Sequence, residues 1–421
     1  MSQRTSTFDE MPRVAAILTT YYPRSHADVI VTKLLADYTH PAPRDLTRFD
    51  FHRTVRGLTE APLPTDEQGR LRKPRIQVVS MYTDQVPEND ISREWSDRSS
   101  VPIYPTIREA LTLGGDTLAV DGVLLIGEHG DYPDNERGQK QYPRRRLFEE
   151  IVAVMRQSNR YVPLFNDKHL AYNWADAKWM YDTARELGIP LGAGSSISVT
   201  PVTWRDPQLL IPLGTEIHTA MSVGHGGVES YGFHTLEVLQ CMVERRAGGE
   251  TGVAAVRALS GPAVWEAAEQ GEWDRELLEA ALGTLESPPA GDLQDLVRNP
   301  YIFLLEYRDG LKASVPILNG VTHSWHFACR FTPRIGSASS SAQSPQSEIV
   351  ATHFRSQGGE PFGHFAWLLE EIQDLICTGK EPHPVERTLL TNGVLDRAME
   401  SLWRGGVRLE TPELDIGYQV R

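Results

Sequence analysis

Residues 161–196, YVPLFNDKHLAYNWADAKWMYDTARELGIPLGAGSS, constrain this chain more than any other stretch. An apolar run ends in the polar cluster Asn166-Asp167-Lys168-His169. A helix pattern follows, with Ala171, Trp174, Ala175, Trp179, Tyr181 and Ala184 among its less polar positions, and closes at Leu187-Gly188. A second apolar run, 189–193, comes immediately after. Strand, loaded turn, helix and strand make a βαβ unit, whose crossover sets the strands parallel. In such sheets ligands bind outside the carboxyl ends of the strands, where Asp167, Lys168 and His169 would sit.

The residues before this unit extend the same pattern. Residues 13–19, RVAAILT, read as a buried opening strand, and 28–37 as a helix. The turn between them contains no glycine, although a dinucleotide-binding turn carries G-x-G-x-x-G to let the backbone approach a pyrophosphate. Residues 76–82 predict the second strand, and Asp84 follows it where an acidic residue can meet a ribose hydroxyl. Residues 122–127, GVLLIG, predict a strand ending in Glu128-His129-Gly130-Asp131. Three ionisable side chains on that turn make a candidate site; the alternative is a polar loop capping the next helix, 146–156. Arg144, Arg145 and Arg146 read as a solvated face. The Pro- and Arg-rich segment 40–75 is longer than ordinary connections and reads as a lid or partner contact.

Beyond Ser196 the pattern changes. Residues 215–223 alternate weakly, 300–318 read as two antiparallel strands turned at Arg308-Asp309-Gly310, and 322–331 as another strand. Between them lie a helix over 231–246 and two further helical stretches up to Leu282. Residues 334–361, rich in Ser, Gly and Gln, predict a mobile loop. Two helices, 362–377 and 385–404, close the chain. The expected fold is a Rossmann-like doubly wound parallel sheet over 12–198, then an α+β unit with an open, mainly antiparallel sheet over 199–421.

A net charge of −14 with no basic stripe argues against a nucleic-acid partner. No run approaches the roughly 18 apolar residues of a membrane helix. The three cysteines are scattered, which suits a reducing cytoplasm and offers neither a disulfide framework nor a zinc motif. An open sheet with one bare face is expected to bury it in a homodimer or homotetramer.

In order and spacing, several motifs resemble those of the Gfo/Idh/MocA family, the glucose–fructose oxidoreductase and inositol dehydrogenase group. The family's E-K-P-L-A is similar to Asp167-Lys168-His169-Leu170-Ala171. Its G-G-x-x-x-D-x-G-x-H-x-x-D is similar to residues 226–237, where the glycines and His234 match, Ser230 replaces the first aspartate and Glu237 the second. Thr378-Gly379-Lys380-Glu381-Pro382 resembles the closing T-G-x-x-P.

The resemblance implies NAD- or NADP-linked chemistry on a sugar, cyclitol or related polyol, with Lys168 and His234 as acid/base pair. Asp167, His129, Asp131, Glu237 and Tyr231 would meet the substrate, and Thr19, Thr20, Tyr21, Asp84 and Glu128 the cofactor. The departure lies in the first turn, where Tyr21, Tyr22 and Pro23 would crowd a pyrophosphate. Two other readings stay open. One is a non-redox carbohydrate lyase, hydratase or hydrolase, with a divalent metal at Glu128, His129, Asp131 and His225. The other is a non-catalytic ligand sensor. His323 and His326 would face opposite sides of a strand and share no ion.

Overall fold

The computed structural model describes residues 11–40, 70–332, 347–357 and 362–420. The first part contains strands β1 (Arg13–Leu18), β2 (Tyr38–His40), β3 (Arg70–Arg72), β4 (Gln77–Thr83), β5 (Gly122–Ile126), β6 (Leu164–Asp167) and β7 (Leu191–Gly194). Five of them form a parallel sheet in the order β4-β1-β5-β6-β7. An isolated parallel bridge between Met81 and Ile103 adds the trace of a third strand beyond β4. Counting it, the order is that of the doubly wound dinucleotide fold, with its topological switch between β1 and β5.

Alternation along the strands divides the core. Ala15, Ile17, Val123 and Leu125 share one apolar cluster with the helices Ile107–Thr112, Arg144–Gln157 and Trp174–Leu187. Val14, Ala16, Leu18, Leu124 and Ile126 belong to another, with residues 28–35 and the helix Gly363–Thr378. The last of these covers comes from near the end of the chain. A Cβ on Gly122 would lie 2.4 Å from Ile376, and one on Gly192 2.8 Å from Leu375, so small residues make room for that helix. Burying Phe365, Leu368, Leu369, Ile372, Leu375 and Ile376 contributes about 1.5–3 kcal/mol each.

The second sheet uses β8 (Arg205–Asp206), β9 (Glu216–Val223), β10 (Val253–Ser260), β11 (Tyr301–Tyr307), β12 (Lys312–Ile317), β13 (Trp325–Thr332), β14 (Glu348–Phe354) and β15 (Leu409–Glu410). Their order is β15-β10-β11-β12-β9-β13-β14-β8, antiparallel except for β12 beside β9. Gly232–Val243 and Glu386–Trp403 pack with the Phe303 and Phe327 side of the sheet. Pro262–Glu269 and Arg275–Leu282 cover the side of Met221, Ile302 and Ala328. A parallel sheet followed by a largely antiparallel one is the architecture the sequence pattern predicts.

Three expectations change. Part of the segment expected to be a mobile loop is β14, paired with β13 and β8. The alternation of EIVATHF buries Val350, Thr352 and Phe354, a signal masked by the Ser-rich composition beside it; 333–346 and 358–361 lie outside the described residues. β10 was not expected, because alanines dilute its apolar alternation. The sheet face expected to be bare carries two of the chain's own helices. Of the 40–75 segment, 41–69 lie outside the described residues, while β2 and β3 pair antiparallel at its ends. No helix among the described residues is long and apolar enough to cross a membrane.

Candidate active site

Asn166 pins the turn at the end of β6, donating from Nδ2 to the His169 carbonyl at 3.0 Å. The turn places Lys168 in the left-handed region, at φ 63°, where a residue with a Cβ is strained. Its carbonyl accepts from the Gly194 amide at 3.1 Å, tying β6 to β7. Its Nζ, buried, donates to Glu128 Oε1 at 2.9 Å. The other Glu128 oxygen accepts from Arg144, whose side chain is wholly buried. Gly127 makes this possible, since a Cβ there would lie 2.6 Å from Arg144 Cγ. Burial alone would raise the Glu128 carboxyl, but the Lys168 and Arg144 charges hold it well below the usual range. Arg144 also lies 3.3 Å from His169 Nε2, and that ring is kept neutral first by burial and then by the Arg144 charge.

The second sheet's helix Gly232–Val243 brings His234 to this group. His234 Nδ1 and Ser195 Oγ, just beyond β7, are 2.6 Å apart. Burial, then the charges of Lys168 and His26, push the His234 pKa well below its ordinary value, so the ring is neutral. One turn along, buried Glu237 accepts from the hydroxyls of Thr391 at 2.7 Å, Thr388 at 3.2 Å and Ser198 at 3.3 Å. It is a hub between the sheets.

On the other flank, His26 Nδ1 is 2.6 Å from Asp167 Oδ2, and the His26 amide donates to His129 Nδ1 at 3.3 Å. Burial and the His26 charge lower His129 to about 4. Beside His234 the second sheet contributes a nest of rings. Trp325 stands 5.6 Å from His234, 4.9 Å from His225 and 5.9 Å from Tyr231, the last nearly parallel. Gly226, at φ 85°, lets the loop fold beneath Tyr231, whose ring would clash with any Cβ there. Trp325 Nε1 and His225 Nε2 are buried without a hydrogen-bond partner among the described residues.

The structure therefore gathers Lys168, Asp167, His129 and Glu128 with His234, with Glu237 and Tyr231 alongside. Asp131 is exposed and stands apart, its amide tied to Gln85. Tyr21 does not crowd the turn: it is wholly buried, and its hydroxyl lies 2.6 Å from Thr32 Oγ1. Thr19 is occupied too, donating to the Glu128 carbonyl at 2.7 Å, whereas Thr20 Oγ1 is buried without a partner. Asp84 is engaged by Tyr132 at 2.7 Å, Tyr82 at 2.9 Å and Arg146 at 2.5 Å.

The expected metal set is not assembled. Glu128 is spent on two cations, His129 faces His26, and His225 sits among rings; no described group of His, Cys, Asp and Glu is placed to hold an ion. Sequence reasoning missed Arg144, taken for a solvated face, and also Ser195, His26 and Trp325. For Arg144 the signal was Gly127, small where a strand meets a loaded turn.

No family model and no curated protein matches the sequence. Solved structures match its fold. The chain is similar to GenD2 from gentamicin A biosynthesis in complex with NAD, at 15% identity and a TM-score of 0.52 over 97% of this chain and 99% of that one. It is also similar to an oxidoreductase from Agrobacterium radiobacter in complex with NAD+, L-tartaric acid and magnesium, at 13% identity and a TM-score of 0.51 over 95% and 98%. An NAD binding oxidoreductase from Klebsiella pneumoniae gives 12% identity and a TM-score of 0.51 over 95% and 98%. At these identities the likeness shows the fold, which these structures share along nearly their whole lengths. It agrees with the fold the family resemblance implies.

Proposed function

We propose that this chain is a divergent Gfo/Idh/MocA-type oxidoreductase that uses NAD or NADP on a sugar, cyclitol or related polyol. The observation that carries this reading is the setting of Lys168. Its ammonium is buried at the carboxyl end of a parallel strand, braced by Glu128 and close enough to His234 for its charge to depress that ring. A buried, paired lysine at a strand's carboxyl end is a functional-site candidate, and a substrate hydroxyl is the group it would meet.

Oxidising a secondary alcohol needs one group to move the hydroxyl proton and another to steady the developing charge on oxygen. Lys168, as an ammonium paired with Glu128, takes the second role, with Glu128 and Arg144 as positioning residues. His234 takes the first as a neutral ring: Ser195 engages Nδ1, leaving the other ring nitrogen to accept the hydroxyl proton as the hydride leaves. The Trp325–Tyr231–His225 nest supports a ring substrate, offering apolar faces and two unpaired nitrogens for its oxygens.

A dinucleotide, when bound, supplies the hydride acceptor. The residues fit it at Thr20, whose unpaired buried hydroxyl stands at the switch point where the fold receives a pyrophosphate. Thr20 and the backbone beside it would hold the phosphates, and Lys168 and His234 would face the reacting end.

The test is Lys168→Ala. Polyol oxidation followed by NAD(P)H absorbance should vanish, while native mass spectrometry still detects the bound dinucleotide. Turnover equal to the unaltered protein's would remove Lys168 from the mechanism. A second reading, non-redox elimination or hydrolysis on the same scaffold, is favoured by one observation, the self-capped turn after β1. Failure of NAD⁺ and NADP⁺ to bind at any concentration would select it.

A further inference from the structure

We infer that Asp28 acts as an internal anion at the turn after β1, competing there with the phosphates of a dinucleotide and setting how weakly the cofactor is held. The inference rests on the oxidoreductase reading. In sheets of this order, the amides that open the first helix are the usual receptors for a pyrophosphate. Here the chain's own side chains have taken most of them. Asp28 Oδ2 accepts from the Arg24 amide at 2.7 Å, and Oδ1 from the Thr32 hydroxyl at 2.8 Å. Buried Ser25 Oγ accepts from the Tyr22 amide at 3.2 Å and the Asp28 amide at 3.3 Å. The His26 amide is directed at His129. The Ser25-x-x-Asp28 spacing is that of a capping box, which stabilises a helix start with no ligand present.

Arg24 shows what this cap replaces. It adopts φ 69°, the conformation a glycine supplies without strain in a phosphate-binding turn, and uses it to present its amide to Asp28. The ribose end is closed in the same way, because Asp84 already receives Tyr132, Tyr82 and Arg146. Thr20 Oγ1 remains as the buried donor without a partner. A phosphate entering the turn must uncover Thr20 to reach its hydroxyl, and must displace or sit beside the Asp28 carboxylate to take the amides.

Asp28→Asn keeps an oxygen for the Arg24 amide and removes only the charge. Isothermal titration of NAD⁺ and of ADP-ribose into the full-length protein and this variant reads the effect directly. The expected result is tighter binding of both ligands to Asp28→Asn, by about tenfold, the size of one partly screened charge repulsion. Ser25→Ala, which frees two amides, should also tighten both. Equal or weaker binding by Asp28→Asn overturns the inference and leaves the oxidoreductase reading standing. No binding of NAD⁺ or NADP⁺ by any of these proteins, with circular dichroism showing them folded, overturns both.

Discussion

Glu128→Gln isolates a buried carboxylate that serves two cations at once. The carboxylate is 5% exposed and is shared by Lys168, 3% exposed, and Arg144, fully buried. Glutamine keeps the shape and one acceptor but leaves both cations without a countercharge. Removing one partner of a buried ion pair costs about 3–5 kcal/mol, and a carboxylate serving two cations belongs at the upper end of that range. That is a large part of the roughly 5–15 kcal/mol that holds a domain together. Urea unfolding at pH 7, read by tryptophan fluorescence, should show the loss as a lower midpoint. The pH dependence gives a second check. The folded carboxyl is depressed, so its contribution is complete above the unfolded value near 4.5 and disappears as pH falls through the lower folded value. The gap between the two proteins should therefore hold from neutral pH to about 4.5 and close in stronger acid. A loss below about 1 kcal/mol at pH 7, or a gap that closes as pH rises, would refute the reasoning.

Other consequences can be checked on the same protein. Ser195→Ala removes the partner of His234 Nδ1 and should lower kcat by about tenfold or more with little effect on KM, since it orients a ring rather than holding substrate. Trp325→Phe keeps an aromatic face but deletes Nε1–H, so KM should rise several-fold with kcat nearly unchanged; a fall confined to kcat would place Trp325 elsewhere. His129 and His225 are both lowered to about 4, chiefly by burial. The unfolded chain binds their protons first, so stability should be level above pH 6.5 and fall between there and about 4, and His129→Gln should flatten that slope in urea midpoints.

Much of the fold could be read because its signals are local. Buried strands such as β1 and β5 are continuous apolar runs, and the hairpin of β11 and β12 announces itself at Asp309-Gly310. Lys168 and Glu128 were legible as candidates because both sit where a parallel strand ends. Their pairing was not, since it joins positions forty apart, and the Arg144 that shares the carboxylate is buried only because Gly127 lacks a Cβ. The first turn shows the same limit. Its lack of glycine was plain, but Tyr21 packing inward against Thr32 required the tertiary structure. β14 was hidden because residue composition in a window outweighs alternation over seven residues.

The helix Gly363–Thr378 has a consequence for how the protein is made. It covers one face of a sheet whose last strand ends at Gly194, so the ribosome must add roughly 170 more residues before that cover begins to emerge. At 5–20 residues per second this takes about 10 to 35 s. During that interval Val14, Ala16, Leu18, Leu124 and Ile126 leave the exit tunnel without their final partner. A stop codon placed before Gly363 is therefore expected to release a sheet that lacks this part of its cover.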